Sequence, residues 1–296
     1  MSIVMPSTVA EFECSREDRV PARPPCQVRC FGATDPGKVR PNNEDQFLIA
    51  EVGCCLRPYQ SSLHELPVQC GPRQGYLFVV ADGMGGHRAG ERASALAVDC
   101  VKSDLLATAP ELLEAARSDP DPLQRRLEQT ISHANDCIWR ASQRQPQLRG
   151  MGTTLTVAFY LEPHLLVAHA GDSRCYLIRD GWLHRLTRDH TLAQDMLDRG
   201  KANVGDTIPN AWRHILTNSV GGSEQGVRAD SCRLTLRAGD GILLCSDGLT
   251  DMLSDEEIAA IIRKRQEPHD ICKHLIQQAK EASGRDNITA VVALFR

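Results

Sequence analysis

Apolar residues recur along this chain in two patterns. Short runs rich in apolar and β-branched residues read as buried strands: Tyr76 to Ala81, Gly152 to Phe159, Leu165 to Ala170, 241–246 and 287–295. Arg174 to Ile178 and Trp182 to Leu186 add two more, joined by Asp180-Gly181, a strong two-residue hairpin signal. Gln27 to Ala50 holds two strands parted by the turn Asp35-Pro36-Gly37, and a further strand falls near 229–236. Apolar residues three and four apart mark helices instead. Leu123, Leu127, Ile131, Ala134, Ile138 and Ala141 make one face of a helix that Pro122 opens, and Ala89 opens another that runs to about Thr108. Two more helices are expected at about 254–264 and 268–283. Strand runs with helices in pairs predict an α+β layered domain, not a parallel βαβ repeat. Residues 53–75 break the pattern with Cys54-Cys55, Pro58, Pro67, Gly71 and Pro72, and are expected to form a long surface hairpin loop.

Composition removes several function classes. With 42% hydrophobic residues in 296 the chain can bury a large core, while a net charge of −4 and 4% aromatic residues argue against a nucleic-acid surface. No run approaches a membrane span, and the opening apolar stretch is too short for a signal peptide, so residues 1–25 read as a flexible lead-in. The 12 cysteines include no C-x-x-C pair, and Cys100, Cys137, Cys175 and Cys245 sit within apolar elements. That usage points to a reducing cytoplasm rather than a disulfide framework.

The chemistry is concentrated in acids at strand ends. Asp82 follows Val79-Val80-Ala81 and precedes Gly83-Met84-Gly85-Gly86-His87; Asp247 follows Ile242 to Ser246 in the same way. Asp172 sits in Gly171-Asp172-Ser173-Arg174, Asp286 in Gly284-Arg285-Asp286-Asn287, and Glu44 and Asp45 close Arg40-Pro41-Asn42-Asn43-Glu44-Asp45. Six converging carboxylates cannot all stay ionised without compensating charge, which divalent cations supply.

This ordered series, with Gly152-Thr153-Thr154, resembles the metal-dependent protein serine/threonine phosphatases of type 2C, the PPM family, in its bacterial form. The motifs stand in the family's order across residues 27–296. The resemblance implies two face-packed antiparallel sheets flanked by helix pairs, an α-β-β-α sandwich spanning 26–296, with the metals at one end and a flap at 191–214. It also implies hydrolysis of phosphoserine and phosphothreonine in proteins by a hydroxide bridging two Mn²⁺ or Mg²⁺ ions, in a monomer opposing a serine/threonine kinase.

Roles carried over by the resemblance fall on Asp82, which would bridge the ions, on the Gly83 carbonyl, and on Asp247 and Asp286. Asp45 joins the metal ligands, Glu44 acts through water, and Asp172 with Asp247 would hold a third, looser ion. Arg40 is the candidate phosphate clamp and, with Asp82, a catalytic residue, because guanidinium grips phosphate oxygens bidentately. Met84 stands where animal members carry the leaving-group acid, leaving that role to metal-bound water or to His87, a second substrate-side candidate. Competing expectations are a single-partner regulatory phosphatase and a phosphoprotein-binding pseudophosphatase; the latter predicts the loss of a core acid, and none is lost. Nucleotide hydrolysis would call for a phosphate-cradling glycine loop ending in Lys and Ser or Thr, which the sequence lacks.

Overall fold

The computed structural model describes residues 27–53, 56–62, 73–85, 88–115, 119–201, 209–222 and 226–296. The lead-in, His87 and parts of 53–75 and of 191–214 lie outside them. The chain runs β1 (Val28–Asp35), β2 (Asp45–Gly53), β3 (Leu56–Ser61), β4 (Arg73–Met84), α1 (Arg88–Ala115), α2 (Asp121–Arg144), β5 (Gly152–Thr153), β6 (Leu155–Leu161), β7 (His164–Ala170), β8 (Arg174–Arg179), β9 (Trp182–Arg185), α3 (Leu192–Asp198), α4 (Asn210–Arg213), β10 (Asp230–Thr235), β11 (Gly241–Cys245), α5 (Asp247–Thr250), α6 (Asp255–Arg263), α7 (Pro268–Ala282) and β12 (Ile288–Phe295).

Successive side chains leave a strand on opposite faces, and here both faces are covered. In β4, Leu77, Val79 and Ala81 enter one core while Phe78 and Val80 enter another. In β12, Val291, Ala293 and Phe295 share that second core, and Ala290 and Val292 enter a third. The strands therefore read as nearly continuous apolar runs. One antiparallel sheet has the order β1-β12-β11-β8-β9, the other β10-β7-β6-β4-β2-β3 with β5 pairing on β4. Helices α1 and α2 cover the second sheet through Val98, Val101, Leu127 and Ile131; α6 and α7 cover the first through Ile258, Ile262, Ile271 and Leu275. The layers are thus helix pair, sheet, sheet, helix pair, the α+β sandwich expected.

Three expectations change. Within 53–75, residues Leu56–Ser61 form an edge strand on β2 rather than loop, and Pro58 falls at the register shift beside Ile49 and Ala50, where an edge tolerates a missing donor. Helix α1 continues past Thr108 through Pro110 to Ala115, carried by the strong helix formers Glu111 to Ala115. The run from Gly152 divides at Thr154 into β5 and β6. The Asp180-Gly181 hairpin forms with positive φ at both residues (53° and 77°), the backbone a tight hairpin turn requires.

Candidate active site

β1 and β8 belong to one sheet and β2 and β7 to the other. The connections 36–44 and 171–173 therefore both cross between sheets, at the end where β4 and β11 finish and β12 begins. Acids placed at those strand ends meet in one cleft of about 730 Å³, lined by Arg40, Glu44, Asp82, Gly83, Asp172, Asp247 and Asp286. Asp45, opposite Asp82 in the β2–β4 register, is 1% exposed.

Each acid has its own support. The Asp45 Oδ2 accepts hydrogen bonds from Ser246 Oγ (2.7 Å) and Thr289 Oγ1 (2.6 Å), both on the opposite sheet, while its Oδ1 is buried with no hydrogen-bond partner. The Asp82 N–H donates to Thr154 Oγ1 (2.9 Å), and its carbonyl accepts from the Thr154 N–H and Thr153 Oγ1 (2.8 Å each). The break between β5 and β6 thus falls where the chain leaves the ladder to clamp Asp82. Close backbone approach demands the glycines beside the acids. A Cβ on Gly83 would lie 2.2 Å from the Gly90 carbonyl oxygen, and one on Gly248 1.9 Å from that of Asn287.

Asn287 organises the connection that carries Arg40 and Glu44. Its Oδ1 accepts from the Glu44 N–H (2.8 Å), and its Nδ2 donates to the Pro36 and Asn42 carbonyls (3.1 and 2.9 Å). Arg40 Nη2 donates to Asp286 Oδ2 at 2.7 Å in a pair whose side chains are 56% and 39% exposed. So exposed a pair contributes at most about 1 kcal/mol and exchanges readily for another anion.

Burial first, and neighbouring charge second, raises the proton affinity of the acids. Burial pushes the Asp45 carboxyl up to about 6 against the pull of the Thr289 and Ser246 hydroxyls, with the Asp286 charge adding to the rise. Burial, then the Asp189 charge, pushes Asp172 up to about 7. Asp82 and Asp247 are driven well above the ordinary carboxylate range, by desolvation first and then by their acidic neighbours: Asp45 is the largest charge acting on Asp82, and Asp172 on Asp247.

The donor set fits divalent ions. Arg40 is the only arginine or lysine among the described residues lining the cleft. Six carboxylates against one guanidinium leave five negative charges when all are ionised, which two or three divalent ions neutralise. The orphaned Asp45 Oδ1 is a ready acceptor of such charge. Ligands that are all oxygen suit Mg²⁺ or Mn²⁺.

The family model of protein phosphatase 2C matches residues 67–287. The chain belongs to the protein phosphatase 2C family. The serine/threonine phosphatase stp of Listeria monocytogenes serotype 4b is 32% identical over 259 residues, 88% of this chain and 92% of that protein. The S. agalactiae serine/threonine phosphatase structure matches with a TM-score of 0.77 at 29% identity, covering 90% of this chain and 99% of that one. The catalytic domain of the phosphatase PstP, solved in complex with two manganese ions, matches at 0.69 and 32% identity, covering 90% and 98%. The family resemblance and the sandwich read from the sequence are both borne out, and the chain is a metal-dependent protein phosphatase.

The structure brings Arg40, Glu44, Asp45, Asp82, Gly83, Asp172, Asp247 and Asp286 together around the phosphatase cleft; His87 lies outside the described residues. Asp251, for which the sequence suggested no role, and His214, read from the sequence as an ordinary flap histidine, place ligand atoms within 4.8 Å of one another and of Asp247. Asp251 was discoverable, since a residue four after Asp247 shares its helical face. Thr154 and Asn287 stand within the sequence motifs without an assigned role, and Thr289 carried no local signal, because the partners of all three are distant in sequence.

Proposed function

We propose that this site removes phosphate from phosphoserine and phosphothreonine in proteins, opposing a serine/threonine kinase. The observation that carries the reading is Asp45, fixed through Oδ2 by two hydroxyls of the other sheet and left with a buried, unpartnered Oδ1 among converging acids. Asp45, Asp82, the Gly83 carbonyl, Asp247 and Asp286 would hold two Mn²⁺ or Mg²⁺ ions, Glu44 through water, and Asp172 with Asp247 a third. When bound, the ions offset the phosphate dianion and activate the attacking water.

The chain's own residues do the rest. Thr153 and Thr154 fix the Asp82 backbone, so its carboxylate is preorganised. Arg40, held over the cleft by Asp286, exchanges that carboxylate for phosphate oxygens and orients the ester. The described cysteines are all free, which supports work in a reducing cytoplasm, and no helix among the described residues is long and apolar enough to cross a membrane. The protein is expected to act as a monomer.

The test is phosphate release from a phosphothreonine peptide with Mn²⁺, Mg²⁺ or EDTA, beside Asp82→Asn. Turnover that both EDTA and the variant abolish is expected. Full activity of Asp82→Asn with metal would overturn the assignment.

A further inference from the structure

Away from the cleft floor, His169, His190 and Asp230 place ligand atoms within 4.8 Å of one another, and the His169 Nδ1 is buried without a partner. The bonding of His190 decides against an ion there. Its Nδ1 accepts from the Gly171 N–H (3.1 Å) and from Asn218 Nδ2 (2.8 Å). The Asn218 amide is fixed in that sense, because it also donates to the Arg228 carbonyl (2.7 Å) and accepts from the Arg228 N–H (3.1 Å). With Nδ1 an acceptor, the neutral ring carries its proton on Nε2 and donates it to Asp230 Oδ2 at 3.1 Å. A metal-bound histidine donates from its second nitrogen instead.

The same bonds do something else. Gly171 immediately precedes Asp172, and His190 holds Gly171 twice: Nδ1 takes its N–H and the His190 N–H donates to its carbonyl (3.0 Å). On the other side of Asp172, the Ser173 Oγ bonds Thr154 Oγ1 (2.7 Å) and its carbonyl accepts from Thr156 Oγ1 (3.0 Å). Asp172 is therefore strung between two restrained neighbours. The His190 carbonyl in turn accepts from the Thr217 N–H (2.9 Å), and Thr191 pairs with Leu216, so the two ends of the flap close on this residue. His190 itself is 3% exposed, and its ring stacks on His169 at 4.7 Å.

We propose that His190, oriented by Asp230 and Asn218, is a positioning residue that holds the Gly171–Asp172 turn so that the Asp172 carboxylate faces the third-ion position at the foot of the flap. This rests on the reading that Asp172 with Asp247 holds that ion. Partners bonded directly to a metal ligand change metal affinity by about ten- to a hundredfold when removed; His190 acts through the backbone beside the ligand, which sets the low end of that range.

The experiment is Mn²⁺ titration of the full chain, followed by electron paramagnetic resonance of free Mn²⁺ to resolve tight and weak sites. Thermal melts run in parallel. Asp172→Ala is expected to abolish the weak site. His190→Phe, which removes both ring nitrogens and their hydrogen bonds, is expected to raise its Kd by about tenfold while leaving the tight pair unchanged. His190→Asn keeps an acceptor near Nδ1 and should recover most of the affinity; His190→Gln keeps only a donor near Nε2 and should not. Should His190→Phe fail to fold, the Asn and Gln pair decides. Wild-type weak-site affinity in folded His190→Gln, or equal weakening of tight and weak sites, would overturn the proposal. A weak site that survives Asp172→Ala would refute the third-ion reading itself, and His190's role with it.

Discussion

Stripping the divalent ions should make the protein lose stability as pH rises from 6.5 to 8.5, and adding Mg²⁺ should remove that loss. Asp172 is held up to about 7, and Asp82 and Asp247 well above the ordinary range, all by burial first and acidic neighbours second. In this window the native state in EDTA keeps protons that the unfolded chain has released. Stability falls with pH wherever the native state binds more protons, by about 1.4 kcal/mol per pH unit for each proton retained. Asp172, which releases its proton within the window, accounts for about 1 kcal/mol of that loss, roughly 2 °C in Tm for a chain this size, and Asp82 and Asp247 add to it with the same sign. Two other groups are excluded by starting at 6.5. Asp45, raised to about 6, loses its contribution mostly below the window. His169, lowered to about 4 chiefly by burial, acts with the opposite sign and is spent once pH passes its unfolded value. The buried thiols Cys245 and Cys272, pushed up to about 12 by burial, add a loss near pH 8.5 with or without metal. The quantity to read is therefore the difference between melts in EDTA and in saturating Mg²⁺ at pH 6.5, 7.5 and 8.5. Mg²⁺ stabilisation should grow with pH, and Asp82→Asn should flatten the EDTA curve. Parallel curves in the two conditions would refute the argument that crowded carboxylates are what the ions relieve.

Two further outcomes follow from the same geometry. Arg40→Ala should lower kcat/KM by roughly thirtyfold, the equivalent of about 2 kcal/mol for a lost charge-assisted contact, mostly through KM, with no change in melting because its ion pair is exposed; steady-state kinetics on a phosphothreonine peptide reads this, and an unchanged kcat/KM excludes Arg40 as the clamp. Gly83→Ala forces a methyl group to 2.2 Å from the Gly90 carbonyl and 2.7 Å from that of Glu44, so it should destabilise by about 1–3 kcal/mol and reduce turnover by displacing Asp82; a variant that melts and turns over like the parent would show that β4 and α1 can part without consequence.

Asp82 and Asp247 were legible because each carries a local signature, an apolar strand that stops at an acid followed by glycine, and the other acids because they stand in short polar segments beside apolar strands. The fold follows from the same runs, since strands buried on both faces need a layer on each side. What the residues could not convey is which strands share a sheet. β1 and β2 look like hairpin partners across Asp35-Pro36-Gly37, yet they pair with β12 and β4 in opposite sheets, and that separation carries the loop of Arg40 and Glu44 across the end of the sandwich. The partners of the supporting hydroxyls were invisible for the same reason, although the sequence marks Ser246, beside Asp247, as structural. Ser246 lies 201 residues from Asp45 and Thr289 lies 244, so neither contact leaves a trace in local pattern. Their arrangement explains why a site of mutually repelling acids can sit in a folded protein at all. Asp45 and Asp82 are one cross-strand pair on one sheet, but Asp45 is anchored from the other sheet and Asp82 from the Thr153–Thr154 break. Asp45 cannot swing away without breaking contacts that also join the two sheets, and the Asp82 backbone is fixed beside it, so the acids stay together, holding protons until cations replace them.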